Sequence, residues 1–580
     1  MAFIKRNFRF EEITVYMFNK FFPVAVLLLA GYVCVAQQKI PYNIDKKFEG
    51  NNAAVVSAHP LASKAGLDIL KQGGNAVDAA IATQLALAVV YPGAGNLGGG
   101  GFMVAYLQNG QTLAIDYREK APGKAHRDMY LDSAGNPITA LSLEGALAAG
   151  VPGTVAGLAS SLKYARLPLK KLIAPAIALA KNGFAITAAE ARSLNGNKSS
   201  FLKNNKNAIA FVKDSKWQEG DILIQPELAA TLKRIQDKGA KGFYEGKTAK
   251  LIVAEMKRSN GIISLKDLKE YKASERTATH FKYKSYDVIG MPMPSSGGLL
   301  LEQMMKMIAN RNIGSMGFQT AESVQLMTEV ERRAYADRGT YMGDADFAKV
   351  PVDILSSQQY LDQRMADYQP GIAGNSKVIK EGIVPESDET THLSVVDAYG
   401  NAVAVTTTLN GGYGSHTVVG GAGFLLNNEM DDFSVKPGSP NMYGAVGKEA
   451  NAIAPGKRML SSMTPTIVLK HGKPYIVVGT PGGTTIPTSV FQTLVNLLEF
   501  NMSPEDAVNK PKFHHQWLPD QIDIEKGFSE ETVVALKKMG YRISTRSQIG
   551  RTELIVVNND GTPKIVAIAD NRGDDSAAGY

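Results

Sequence analysis

Apolar residues recur at helical spacing over Pro60–Lys71, at Leu61, Ala65, Leu67 and Leu70, and Gly73-Gly74 closes that run. Asn75 then opens a second predicted helix through Val90, which Pro92 ends. Gly93–Gly101 reads as a loop, and Phe102–Leu107 and Thr112–Tyr117 as strands around Asn109-Gly110. The middle, Gly153–Met365, mixes helical stretches (Pro226–Lys238, Leu299–Arg311, Thr320–Asp337) with Gly and Pro. Ala373–Asp388 is polar, lacks an apolar period and reads as an exposed loop. From Thr390 the pattern turns to alternation. Thr390–Val396 and Ala402–Leu409 flank a hairpin signal at Asp397-Ala398-Tyr399-Gly400. Thr464–Leu469 and Tyr475–Gly479 form a second strand pair, and a Gly-rich turn leads into a helix over Pro487–Phe500. A last hairpin joins Glu553–Val557 to Lys564–Ile568. The pattern predicts mixed α and β structure in two compositional halves that meet near residue 389, with no internal repeat.

Composition narrows the classes. The 580 residues are 44% hydrophobic and 20% charged, which excludes disorder, collagen and repeat arrays. One cysteine excludes a disulfide framework and any Cys-rich metal site. The net charge of +8 is small and dispersed, and does not point to nucleic acid. Residues 390–580 carry 16 Lys/Arg against 18 Asp/Glu, so the basic excess belongs to the first part of the chain. Phe21–Ala36 is an apolar run behind Lys5, Arg6, Arg9 and Lys20, interrupted by Pro23. It is shorter than the ~20 residues a spanning helix needs. We read residues 1–36 as a secretory signal cleaved after Ala36, with Met1 or Met17 as the start and a retained anchor as the alternative. The predicted location is periplasmic or secreted. Cys34 falls within the signal, so the mature chain has no cysteine.

Several motif matches lead nowhere. Gly93–Gly98 fits G-x-G-x-x-G, but a helix precedes it and a strand follows, the reverse of what a dinucleotide site requires. Walker, H-E-x-x-H and G-x-S-x-G patterns are absent. His514-His515 are adjacent, and neighbouring side chains point apart in helix or strand alike, which favours a structural role over a metal pair. Met304-Met305-Lys306-Met307 reads as core packing.

The chemistry concentrates elsewhere. A polar loop runs into Thr390-Thr391-His392, and downstream lie Thr406-Thr407-Thr408, Asn410, Glu429, Asp431, Asp432, Ser461-Ser462 and Pro481-Gly482-Gly483. With Asn75-Ala76-Val77-Asp78, Asp116-Tyr117-Arg118-Glu119, Pro294–Gly298, Leu426–Phe433, Phe513–Pro519 and the terminal Ala578-Gly579-Tyr580, this chain closely resembles the gamma-glutamyltranspeptidase family over nearly its whole mature length. The resemblance implies an α+β fold, the αββα four-layer sandwich of N-terminal-nucleophile hydrolases. It also implies one precursor that cuts itself between Glu389 and Thr390, giving a large subunit of 37–389 and a small subunit of 390–580 in a single intertwined fold.

A hydroxyl is a weak nucleophile unless a base takes its proton. Cleavage frees the α-amine of Thr390. Such amines ordinarily titrate at about 7.7–8.0, so this one can serve its own Oγ as base. By the resemblance, Thr408 orients the Thr390 hydroxyl, and the amides of Gly482 and Gly483 form the oxyanion hole. Arg118 with Ser461 and Ser462 takes the α-carboxylate of a γ-glutamyl group, and Glu429, Asp432 and Asn410 take its ammonium. Residues 436–452 match a lid whose Tyr443 closes over the acyl site. Without the resemblance, Arg118 would read as an ion pair with Asp116 or Glu119.

The expected activity is a γ-glutamyltransferase and glutathione hydrolase that works by ping-pong transfer through a γ-glutamyl–Thr390 ester. Glutathione and other γ-glutamyl compounds are the expected donors, and water or an amino acid or dipeptide the acceptor. No cofactor and no metal is implied. A cephalosporin or glutaryl acylase of the same fold is the alternative enzyme, although a glutaryl group has no α-amine for Glu429 and Asp432 to bind. An unprocessed, non-catalytic binding relative is the alternative of another class.

Overall fold

The computed structural model describes residues 40–379, 389–436, 448–559 and 561–580. Two seven-stranded antiparallel sheets face each other. The first runs, in spatial order, Ser576–Gly579, Ala54–Ser57, Glu389–Val396, Ala402–Asn410, Gly100–Tyr106, Thr112–Asp116 and Ser274–Arg276. The second runs Lys47–Gly50, Ile565–Ala569, Glu553–Val557, Lys473–Gly479, Thr466–Lys470, Tyr286–Gly290 and Thr279–Tyr283. Each sheet combines strands from both compositional halves, so the change of pattern near residue 389 is not a boundary in space. Glu389–Val396 pairs on one side with Ala402–Asn410 and on the other with Ala54–Ser57.

Period-two alternation explains the layers. Val55, Met103, Ile115, Leu393, Val395, Val403 and Val405 point outward into a core shared with the helices Pro60–Lys71 and Ala76–Val90. Their neighbours Ala54, Val56, Phe102, Val104, Val396, Ala402 and Ala404 point inward, against Ile289, Ile467, Val477, Ile555 and Ala567 of the second sheet. The outer face of that sheet, including Val468, Ile476, Leu554 and Ile568, packs on the helices Gly297–Ile308, Ala321–Tyr341 and Thr485–Leu498. The result is the expected αββα sandwich. Ala76–Val90 is buried at all fifteen positions, which is why it is apolar on every face. It starts where expected, with Asn75 and Asp78 closing a capping box.

The glycine-rich loop after this helix serves as a seat for the chain near residues 413–427. Gly93 O accepts from Tyr413 N at 2.8 Å, and Gly98 O from Asn427 N at 3.1 Å. The methionines Met304, Met305 and Met307 are core, as expected. His514 and His515 are buried and bonded within the fold, His514 to Thr488 and Gln516, His515 to Asp520 and Trp517. Among the described residues no helix is long and apolar enough to cross a membrane. The signal assigned to residues 1–36 lies outside the described residues.

Candidate active site

Thr390, His392, Ser394 and Val396 share the inward face of their strand, and Thr408, Thr406, Ala404 and Ala402 stand opposite them in register. The gap between the sheets is therefore apolar at one end and polar at the other. At the polar end Thr390 Oγ donates to Thr408 Oγ over 3.5 Å, and Thr408 Oγ accepts from Asn410 N at 2.8 Å. A register irregularity between Glu389 and Thr390 sets the nucleophile candidate off from the regular ladder. His392, two residues on, is not a base for it. Burial pushes its imidazole down to about 3, and its two nitrogens are taken by Thr406 at 2.8 Å and Ser394 at 3.1 Å. Its ring fills the space left by Gly479, where a Cβ would lie 2.2 Å from it.

Gly482 and Gly483 sit between the strand Lys473–Gly479 and the helix Thr485–Leu498, with φ of 132° and 56°. Both values favour glycine. A Cβ on Gly482 would lie 2.4 Å from Thr485 Oγ. Their carbonyls accept from Thr485 N and Ile486 N, but among the described residues neither of their own amides has a hydrogen-bond partner. Two unpaired amides at the end of a strand, beside a helix N-terminus, suit an oxygen that gains negative charge.

Arg118 follows the strand Thr112–Asp116 and is 1% exposed. Its Nη1 pairs with Glu429 and its Nη2 with Asp432, while Met459 O and Leu460 O accept from Nε and Nη2 at 3.3 and 3.2 Å. Its main partners are thus neither Asp116 nor Glu119. Asp116 instead pairs with Arg276 and Arg458, and Glu119 lies 3.7 Å from Nη1. Residues assigned to opposite ends of one zwitterion are therefore bonded to each other here. Asn428 connects them to the nucleophile: its amide donates to Leu409 O at 3.0 Å, and its carbonyl accepts from Asn410 Nδ2 at 3.0 Å. Asn410 itself holds a left-handed backbone, φ 73°. Ser461 and Ser462 are buried next to the Leu460 carbonyl. Ser461 Oγ accepts from Met463 N, and Ser462 Oγ has no hydrogen-bond partner among the described residues.

Crowding of carboxyls in a buried space governs the electrostatics. Burial pushes Asp432 up to about 6, against the pull of Arg118. Burial likewise holds Glu429 well above the usual carboxylate range, with Arg118 opposing and Glu119 and Asp432 adding to the rise. Glu119, which the sequence suggests only as an alternative partner for Arg118, is pushed up to about 8 by burial. Neither of its oxygens has a hydrogen-bond partner among the described residues, and one lies 2.6 Å from where a Gly100 Cβ would be. A carboxyl at 0% exposure is thus part of the cluster, and its only sequence signal is its place in the Asp116–Glu119 run. Other contributors give no signal. Arg338, from the helix Ala321–Tyr341, donates to Ser296 Oγ at 2.7 Å and lends positive charge to Asp432. Gln516 accepts from Thr484 Oγ at 2.7 Å, bracing the residue after the two glycines. Tyr443 and the Glu389 side chain lie outside the described residues.

The comparisons agree with this architecture. The family profile of Gamma-glutamyltranspeptidase matches residues 62–580. The chain is 47% identical over 532 residues to a glutathione hydrolase proenzyme of Escherichia coli (strain K12), covering 91% of each. The structure of a cephalosporin acylase from Bacillus halodurans superposes with a TM-score of 0.81 at 25% identity, covering 94% of this chain and 99% of that one. A Helicobacter pylori gamma-glutamyltranspeptidase chain matches with a TM-score of 0.55 at 46% identity, over 56% of this chain and 94% of its own. By sequence over nearly its full length, and by fold, this protein belongs to the gamma-glutamyltranspeptidase family.

Proposed function

We propose that this chain is an exported, self-processing γ-glutamyltransferase and glutathione hydrolase. The reading is supported by Thr390 standing opposite Thr408 at the polar end of the sheet gap, together with amides of Gly482 and Gly483 that have no partner among the described residues and the buried pairing of Arg118 with Glu429 and Asp432. Thr390 Oγ attacks the carbonyl of Glu389 in an N-to-O acyl shift, and water hydrolyses the ester, leaving chains 37–389 and 390–580. The freed α-amine then takes the Thr390 proton as Oγ attacks the γ-carbonyl of the donor. Thr408 holds the hydroxyl, and the Gly482 and Gly483 amides receive the oxyanion. The donor amine departs, and water or an amino-acid or dipeptide amine takes the acyl group from Thr390.

Recognition at the other end is an exchange of partners. The donor's α-carboxylate takes the Arg118 fork with Ser461 and Ser462, and its ammonium takes Glu429, Asp432 and Asn410. Each charge that loses an internal partner gains one from the substrate, so the buried cluster is never left unpaired. The acylase alternative is disfavoured because a glutaryl group can replace the carboxylates at Arg118 but leaves Glu429 and Asp432 without a cation. The Helicobacter pylori chain, 94% covered yet matching 56% of this length, is in keeping with two subunits.

Denaturing electrophoresis, alongside hydrolysis of a chromogenic γ-glutamyl anilide, tests the reading. It expects chains of 353 and 191 residues and release of the coloured aniline from the γ-glutamyl anilide. A single uncut chain without turnover would refute it in favour of a binding protein.

A further inference from the structure

The Phe513–Pro519 segment has no part in the mechanism above, yet its polar side chains are aimed at the helix Thr485–Leu498. His515 turns away, to Asp520 at 3.4 Å. His514 and Gln516, two apart on an extended chain, turn together toward the helix. His514 Nδ1 meets Thr488 Oγ at 2.9 Å, and its Nε2 meets Gln516 Oε1 at 2.9 Å. The same Gln516 oxygen accepts from Thr484 Oγ at 2.7 Å. Thr484 and Thr488 lie one helical turn apart on one face, so four side chains and that turn close a ring.

The ring has a defined polarity. Gln516 Nε2 donates to Leu518 O at 3.2 Å, which turns the Gln516 carbonyl toward Thr484 and His514. A carbonyl only accepts, so His514 carries its proton on Nε2 and accepts from Thr488 on Nδ1. Burial pushes this imidazole down to about 3 and keeps it in that neutral form. Thr484 stands at the N-cap of its helix, where a threonine ordinarily bonds the helix's own amides, but it makes no such bond. Its hydroxyl goes to Gln516, and its carbonyl accepts from Tyr335 Oη. Gly482 and Gly483 come just before it and, lacking side chains, are held only through their peptide planes. Pro481 O accepts from Thr480 Oγ at 2.8 Å, which aims the Gly482 amide of the same plane. Gly482 O accepts from Thr485 N at 2.9 Å and Thr485 Oγ at 2.7 Å, which likewise aims the Gly483 amide. The second amide is therefore only as well directed as the first turn of the helix, and the ring holds that turn.

We propose that Gln516, fixed by His514, is a positioning residue for the oxyanion site: through Thr484 it holds the first turn of the helix so that the glycine amides stay aimed at the oxyanion. The proposal rests on the γ-glutamyl reading above, in which those amides receive the negative charge. Gln516 touches no substrate. It sets the donors in place beforehand, and donors already in place need no reorganisation as charge develops. Its effect therefore falls on turnover and not on donor binding, which belongs to the Arg118 end of the site.

The test breaks the Thr484–Gln516 bond from each side. Thr484→Val removes the hydroxyl at nearly constant shape, and Gln516→Leu removes the acceptor. With a γ-glutamyl anilide, and rates taken per mole of cut chain on a denaturing gel, each should lower kcat about 10- to 100-fold and leave the donor KM within about twofold of wild type. Thr484→Ser, which keeps the hydroxyl, should recover most of that loss. The double variant of Thr484→Val with Gln516→Leu should fall no further than the worse single variant, because both break one bond. A kcat within about twofold of wild type in both single variants, or losses that add in the double variant, would overturn the positioning role alone. An uncut chain in Thr484→Val, or a KM that rises as far as kcat falls, would assign the ring to the fold at large and overturn it as well. A wild type that releases no aniline would instead overturn the γ-glutamyl reading, and this proposal with it.

Discussion

Arg118→Lys separates charge from shape at the centre of the candidate site. The lysine keeps a positive charge in the buried cluster, so Glu429, Asp432 and Glu119 are not abandoned. What it loses is the fork: Arg118 reaches two carboxylates and two carbonyls from one plane, and an ammonium cannot present paired parallel donors to a carboxylate. The donor's α-carboxylate should therefore lose one charge-assisted hydrogen bond, about 1.5–3 kcal/mol, or roughly 10- to 150-fold in kcat/KM at ~1.4 kcal/mol per tenfold. The loss should appear mainly in KM, because the reacting carbonyl lies at Thr390 rather than at Arg118. Self-cleavage should persist, since it needs the Thr390 hydroxyl and no γ-glutamyl recognition. Arg118→Met is the contrasting variant. Stripping the cation from buried carboxylates costs about 3–5 kcal/mol, so it should lower thermal stability as well. Initial rates with a γ-glutamyl anilide, electrophoresis for processing and a thermal melt together decide the matter. A KM for Arg118→Lys within threefold of wild type, or an uncut chain, would mean that Arg118 serves only to clamp the 429–432 turn.

Thr390→Ala should leave an uncut, inactive chain; continued processing on a denaturing gel would place the nucleophile elsewhere. Donor kcat/KM should fall as pH drops through about 6, because Asp432, pushed up to that value by burial, must be ionised to hold the donor ammonium. A pH–rate profile flat from 5 to 8 would remove Asp432 from that role. Gly482→Ala adds a Cβ 2.4 Å from Thr485 Oγ at a φ of 132° and should tilt the oxyanion amides, with a loss of about 100- to 1000-fold in kcat and little change in donor KM. Near-normal kcat in that variant would show that these amides do not meet the oxyanion.

The helices Pro60–Lys71 and Pro226–Lys238 and the strand Glu553–Val557 are legible to the residue, because each has a clean period and a glycine, proline or polar boundary. Other boundaries slip. The helix expected from Leu299 begins at Gly297 and ends at Ile308. Glycine argues against a helix start locally, but Gly297 and Gly298 lie where a Cβ would strike Thr464 and Met291, so packing decides in their favour. The nucleophile candidate and most of the candidate site are readable as residue types in order along the chain. Their mutual arrangement is not. The sequence alone determines the alternation that buries each strand, the glycines that free two amides, and a threonine placed after a polar loop. Only the tertiary structure decides that the halves interleave and that Arg118 grips Glu429 311 residues away. The physical reason is range. Periodicity and turn chemistry are set by neighbours in the chain, whereas the partner of a buried charge is set by whichever distant segment the sheets bring beside it.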